Sequence, residues 1–381
     1  MSPDDLIDAA RERTGLEEFD SESFREGLEV LIAGMQKRND YTEGGRVRLA
    51  ADFGRHLDNR LRVSDYLRRH PEVLDGPIEA PIVIMGMPRT GTTALSYLLD
   101  CDPRWRSLLN WEAVDSVPPP TTETLRSDPR CVEKKRAQEK SLAAMPLSPP
   151  HWEWADGPTE CIFVHSQDFK ALAWEAMAPS REYAEFMLTC DMSTAYEYQK
   201  KVLRILQSKA PGRWALKMPS HSLHIKAVLG AFPDARLIWA HRSPYKALVS
   251  LCNMIAAVHS GVLTEVDRQY IHDVYPHQLG EHVRRPMAIR EGLPADQMYD
   301  VFWTEFLRDP IAEMRRIYHW LGEELEPEVE QKMRVWLEDD AERQSRRSPY
   351  RFGLEDFGLT KQAVARHFEE YLERYPTAPE A

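Results

Sequence analysis

A small set of side chains in this sequence has the charge and spacing to hold a phosphate-like anion and move a proton beside it. Arg89 lies in Gly86-Met87-Pro88-Arg89-Thr90-Gly91-Thr92-Thr93. Lys217 and His221 lie in Leu216-Lys217-Met218-Pro219-Ser220-His221. Arg242 lies in His241-Arg242-Ser243-Pro244, with Ser250 eight residues after it. Glu160 stands just ahead of the apolar stretch Cys161-Ile162-Phe163-Val164. Arginine offers a phosphate a planar fork, and lysine offers a compact point charge. Glutamate and histidine can each accept the proton of a hydroxyl.

The first block is positioned by its flanks. Ile82-Val83-Ile84-Met85 is a short apolar, partly β-branched run, which predicts a buried parallel strand. Thr92 opens a helix that continues through Leu99. A strand, a glycine-punctuated turn and a helix start make an anion cradle. The loop and first-turn N–H groups converge there, and the helix dipole adds partial positive charge. Gly86 and Gly91 have the spacing of the nucleotide P-loop, G-x-x-x-x-G-K-S/T, and Thr93 takes its last position. Thr92 stands where a nucleoside triphosphatase needs its lysine. The expectation is a phosphate site made by Pro88, Arg89, Thr90, Gly91, Thr92 and Thr93, with the triphosphate reading weakened.

The other blocks sit at the ends of further strands. Arg213 to Met218 reads as a strand with Lys217 at its exit, and Ser222 to Ala231 as a helix. Ala235 to Ala240 reads as a third strand, followed by a helix with Ser243 as N-cap and Pro244 at its first position. Strands alternating with helices predict an α/β fold with a central parallel sheet, P-loop-like and flanked by helices. Ligand sites in such sheets lie at the carboxyl ends of strands. Met298 to Phe302 is a further candidate strand.

One domain is expected over residues 1–381. Residues 1–75 form a helical N-terminal extension and 80–360 the nucleotide-binding core. Residues 100–160 are the least regular part, rich in proline, with Trp105, Trp111, Trp152 and Trp154 in or beside them. They read as an acceptor-side insertion. Arg343 to Leu359 reads as a basic loop, and Lys361 to Tyr375 as a closing helix.

The net charge of −12, from 49 Lys+Arg against 61 Asp+Glu, argues against a nucleic-acid surface. The five cysteines show no C-x-x-C pairing and read as reduced thiols, and the histidines show no metal-ligand spacing. No apolar run is long enough to span a membrane, and a cytoplasmic location is expected. The oligomeric state is left open.

With these blocks assembled, the chain resembles the sulfotransferases that use 3′-phosphoadenosine 5′-phosphosulfate (PAPS), especially a bacterial branch with arginine in the first loop. The block Gly86 to Thr93 looks like the family's 5′-phosphosulfate loop. Leu216 to His221 is similar to its Lys-x-Pro-x-His element, and His241 to Pro244 with Ser250 to its 3′-phosphate element. The stretch from Tyr350 to Leu359 looks like its C-terminal loop. The resemblance implies transfer of a sulfuryl group from PAPS to a hydroxyl of a small, hydrophobic or aromatic acceptor, without a metal, leaving PAP. It implies Arg89 on the 5′-phosphate, Arg242 and Ser250 on the 3′-phosphate, and Lys217 on the sulfuryl or bridging oxygen. Tyr350 and Arg351 belong to the closing loop, with Arg346 and Arg347 beside them. Glu160 and His221 compete as general base, with Glu160 slightly preferred. In the better-known animal branch the base follows the lysine by two residues, where Pro219 stands here. The rival readings are a P-loop nucleotide kinase or NTPase, and a non-catalytic nucleotide-binding protein.

Overall fold

The computed structural model describes residues 1–143, 153–345, 351–375 and 377. Five strands form one parallel sheet: β1 (Ile82–Gly86), β2 (Trp105–Ser107), β3 (Arg213–Lys217), β4 (Arg236–His241) and β5 (Met298–Phe302). Their order is β2-β3-β1-β4-β5, which puts β1 at the centre. Every residue of β1 is buried, as a parallel strand covered on both faces requires.

The twofold alternation of a strand divides β1 between two apolar layers. Ile82 and Ile84 face a layer with Leu95 and Leu98 of the helix Thr92–Asp100 and Met314 and Ile317 of the helix Pro310–Leu321. Val83 and Met85 face a larger core that includes Val202, Leu248, Leu279, Phe53 and Leu57. The last two belong to the N-terminal extension, which is therefore a packing layer of the main core. Its long helix Glu43–Arg69 sets Phe53 edge-on against Trp174, with ring centroids 4.9 Å apart. It also buries Arg60 in an ion pair with Asp168 at 3.0 Å. The first helix, Pro3–Thr14, starts with the expected cap: Ser2 Oγ accepts from the Asp5 amide at 3.1 Å, and the Ser2 amide donates back to Asp5 at 2.8 Å.

Several sequence expectations shift. β2 lies inside the stretch read as irregular, since three residues are too few to show a period. The segment after β3 begins as a 3₁₀ turn, Pro219–His224, and becomes α-helical only over Ile225–Ala231. Ser243 does precede the helix Pro244–Ser260, but its hydroxyl makes no cap hydrogen bond. The single closing helix is two short ones, Lys361–Ala365 and Glu369–Arg374. Expectations placed on Trp152, Arg346, Arg347 and Tyr350 lie outside the described residues.

Candidate active site

The turn after β1 has a demanding backbone. Gly86 has φ +147°, and a Cβ there would come within 2.5 Å of the Ala240 carbonyl on β4. Its own carbonyl lies 3.2 Å from the Ser222 hydroxyl and 3.1 Å from Nδ1 of the buried His282. Thr90 is buried and donates to the Met87 carbonyl at 2.8 Å, so its side chain closes the turn from within. Gly91 has φ +94°, and a Cβ there would enter the Trp303 ring at 2.2 Å. Thr92 and Thr93 then start the helix Thr92–Asp100, whose first-turn amides lack intrahelical partners.

Arg89 also has a left-handed backbone, φ +73°, which costs a non-glycine residue about 1–3 kcal/mol. Two contacts from the region after β4 hold it. Arg89 Nε donates to Ser250 Oγ at 2.7 Å, and Arg242 Nη1 donates to the Arg89 carbonyl at 3.0 Å. The Arg242 guanidinium lies 5.5 Å from the Trp303 ring centroid, the same ring that confines Gly91. Arg89, Arg242 and Ser250, three sequence candidates from two strand ends, are thus one cluster.

β3 lies beside β1 with Lys217 opposite Ile84, so the lysine emerges next to the turn. The Cys161 amide donates to the Lys217 carbonyl at 2.9 Å, which places Glu160 alongside. Lys217 Nζ lies 3.1 Å from Glu160 Oε1 and 2.7 Å from Glu153 Oε1. The lysine is 1% exposed, Glu160 25% and Glu153 16%. Burial raises the pKa of Glu160 above the usual carboxylate value; Lys217 opposes that rise, Glu153 adds to it and Arg89 opposes it again. Burial pulls Lys217 down, but the two carboxylates outweigh it and keep the ammonium above the ordinary lysine value.

His221 is not part of this group. The 3₁₀ turn points its ring into the core, where Nδ1 lies 2.7 Å from the Tyr196 hydroxyl and the ring meets His165 edge-on at 6.2 Å. Burial holds its pKa well below the ordinary histidine value. Two of the tryptophans in the acceptor-side insertion, Trp105 and Trp111, are packed inside the protein, as is Trp174 beyond it. Trp105, Trp111 and Trp174 are buried, each with its indole N–H bonded inside the protein: to Tyr318, to the Leu125 carbonyl and to the Ser166 carbonyl. Arg351 is exposed, and its amide donates to Asn253 Oδ1 at 2.9 Å. Asn253 lies one helical turn past Ser250 and ties the C-terminal loop to the helix that bears that serine.

Sequence reasoning missed Glu153 and Asn253. The only local hint of Glu153 is its place between Trp152 and Trp154. Among the described residues, no group of His, Cys, Asp and Glu could hold a metal ion, and no helix is long and apolar enough to cross a membrane. The cluster does suit a nucleotide with two phosphates. Arg89 and Arg242 bring positive charge to the same turn, beside the unpartnered first-turn amides of the helix Thr92–Asp100.

The family model of the sulfotransferase family matches residues 81–327. Sulfotransferase STF9 from Mycobacterium avium is 46% identical, with a TM-score of 0.91 over 99% of this chain and 97% of that one. Sulfotransferase STF1 from Mycobacterium tuberculosis H37Rv is 27% identical, with a TM-score of 0.86 over 97% and 99% of the two chains. The omega-hydroxy-beta-dihydromenaquinone-9 sulfotransferase Stf3 of Mycobacterium bovis is 26% identical over 312 residues, 78% of this chain and 75% of that protein. These likenesses do not favour the kinase or the non-catalytic reading. With the family model spanning the whole run from the first phosphate turn past β5, the chain belongs to the sulfotransferases and passes a sulfuryl group from PAPS to a hydroxyl.

Proposed function

We propose that the acceptor is the hydroxyl of a small apolar or aromatic molecule, that Glu160 takes its proton, and that Lys217 offsets the charge developing on the transferring group. The observation that carries this reading is the 3.1 Å contact between Glu160 and Lys217 at the carboxyl end of β3, one strand from the phosphate turn. A carboxylate with raised proton affinity, a quarter exposed, is a suitable base.

PAPS supplies the sulfuryl group, already activated by its phosphosulfate anhydride, and leaves as PAP. Arg89 and the amides from Thr90 to Thr93 are suited to the 5′-phosphate. Arg242 and Ser250 are suited to the 3′-phosphate. Ser250 accepts from Arg89 and still has its hydroxyl proton to donate. Lys217 acts by preorganised charge, as in phosphoryl transfer, where positioning and electrostatics do most of the work.

Two observations support an apolar acceptor. One curated relative is named for an omega-hydroxy dihydromenaquinone. In this chain the partly buried Trp154, Ile162 and Phe163 follow Glu153 and Glu160 closely in sequence.

Glu160→Gln tests the role of the base: kcat should fall about 10²–10⁴-fold while calorimetric affinity for PAP holds. Lys217→Ala should lower turnover more than PAP affinity. Wild-type turnover in Glu160→Gln would contradict the assignment. A panel of phenols, long-chain alcohols and sugars tests the acceptor class, and a preference for sugars would contradict it.

A further inference from the structure

Glu153 and Glu160, both near the end of the insertion, reach the same buried ammonium with different supports. Glu160 is anchored to the core through the bond from the Cys161 amide to the Lys217 carbonyl. Glu153 is held by earlier residues of the insertion. Its backbone carbonyl accepts from Asn110 Nδ2 at 2.8 Å and from Gln138 Nε2 at 2.9 Å. Its second carboxylate oxygen accepts from the Thr159 hydroxyl. The Glu153 contact with Lys217, at 2.7 Å, is the shorter of the two.

An ammonium has three protons to donate. Two serve the carboxylates, and one is left for the transferring group. If Glu160 alone faced Lys217, the full positive charge would stabilise its ionised form and weaken it as a base. A second carboxylate on the same ammonium divides that attraction. The charged groups that act on Glu160 are Lys217 from β3, Glu153 from the insertion and Arg89 from the phosphate turn. Of these, only Glu153 pushes it towards holding a proton.

We propose that Glu153 is a positioning residue of the transfer site: it holds Lys217 from the insertion side and shares that lysine's charge with Glu160. This rests on Glu160 being the base. Lys217 then meets the donor from a fixed place. The insertion, through Glu153, is joined directly to the residue that acts on the transferring group.

The test is the pH profile of kcat/KM for wild type, Glu153→Gln, Glu153→Asp and Glu160→Gln, with melting temperature and PAP affinity measured on each. In Glu153→Gln the remaining carboxylate has Lys217 to itself, so the acid limb should move down by about one pH unit. The plateau should fall about tenfold, because a weaker base transfers the proton less well. Glu153→Asp should restore part of both. A Glu153→Gln enzyme with an unmoved acid limb and a wild-type plateau would overturn the proposal while leaving Glu160 as base. Full activity in Glu160→Gln with none in a folded, PAP-binding Glu153→Gln would overturn both, by making Glu153 the base.

Discussion

Arg242 donates through Nη1 to the backbone carbonyl of Arg89, 3.0 Å away, so the exit of β4 braces the bend at the exit of β1. The residue suited to one phosphate thereby holds in place the residue suited to the other. The two arginines proposed for the two ends of the donor are thus one unit, and the left-handed backbone of Arg89 is maintained by it.

Replacing Arg242 removes both a charge-assisted partner and this brace. Arg242→Ala is expected to weaken PAP binding by about 2–3 kcal/mol. Arg242→Lys keeps the charge but loses the fork, and should fall between that variant and wild type. Calorimetry decides it: unchanged affinity in Arg242→Ala would remove the residue from the nucleotide site.

Gly91 is confined by its φ of +94° and by the Trp303 ring. Gly91→Ala should therefore cost about 2 kcal/mol or more of stability, through backbone strain and a displaced indole. It should also weaken PAP binding, because the indole lies under the Arg242 guanidinium. Urea unfolding checks the first effect and calorimetry the second. A variant as stable as wild type would contradict the packing of Trp303 against the turn.

Away from the site, Glu175 is fully buried and accepts from Tyr270 at 2.5 Å and Tyr275 at 3.1 Å. Burial pushes its pKa up to about 7, with the tyrosine hydrogen bonds opposing. The folded protein therefore keeps a proton on Glu175 at pH values where the unfolded chain has released it. The resulting stabilisation is complete below about pH 4.5, the ordinary glutamate value, and is lost as pH rises through about 7. Its ceiling is about 3 kcal/mol at 1.36 kcal/mol per pKa unit. Melting temperatures across pH 4.5–8 should show this decline in wild type and a flatter curve in Glu175→Gln. Parallel curves would contradict it.

The clustering of Arg89, Arg242 and Ser250 in the candidate site was legible in the sequence, because strand exits carry local signatures. Gly86 and Gly91 mark a turn that only a backbone with positive φ can make, and Arg242 with Pro244 marks the start of the next helix. The sheet followed from the same strand–helix alternation. β2 did not, because its three residues are placed by pairing with Arg213 to Ala215 on β3. The direction of His221 was not legible, because the segment after β3 is a 3₁₀ turn that sets its ring against the Tyr196 hydroxyl. The number of tryptophans in the insertion says nothing about direction, and Trp105 and Trp111 point inward. Glu153 was invisible because its partner, Lys217, is 64 residues away and only the folded chain brings the two together.

A crystal structure of the protein with PAP would place both phosphates of the nucleotide. The 5′-phosphate is expected on Arg89 and the amides from Thr90 to Thr93, and the 3′-phosphate on Arg242 and Ser250, with Lys217 beside the 5′-phosphate. A nucleotide bound elsewhere, with these groups keeping only one another for company, would contradict that placement.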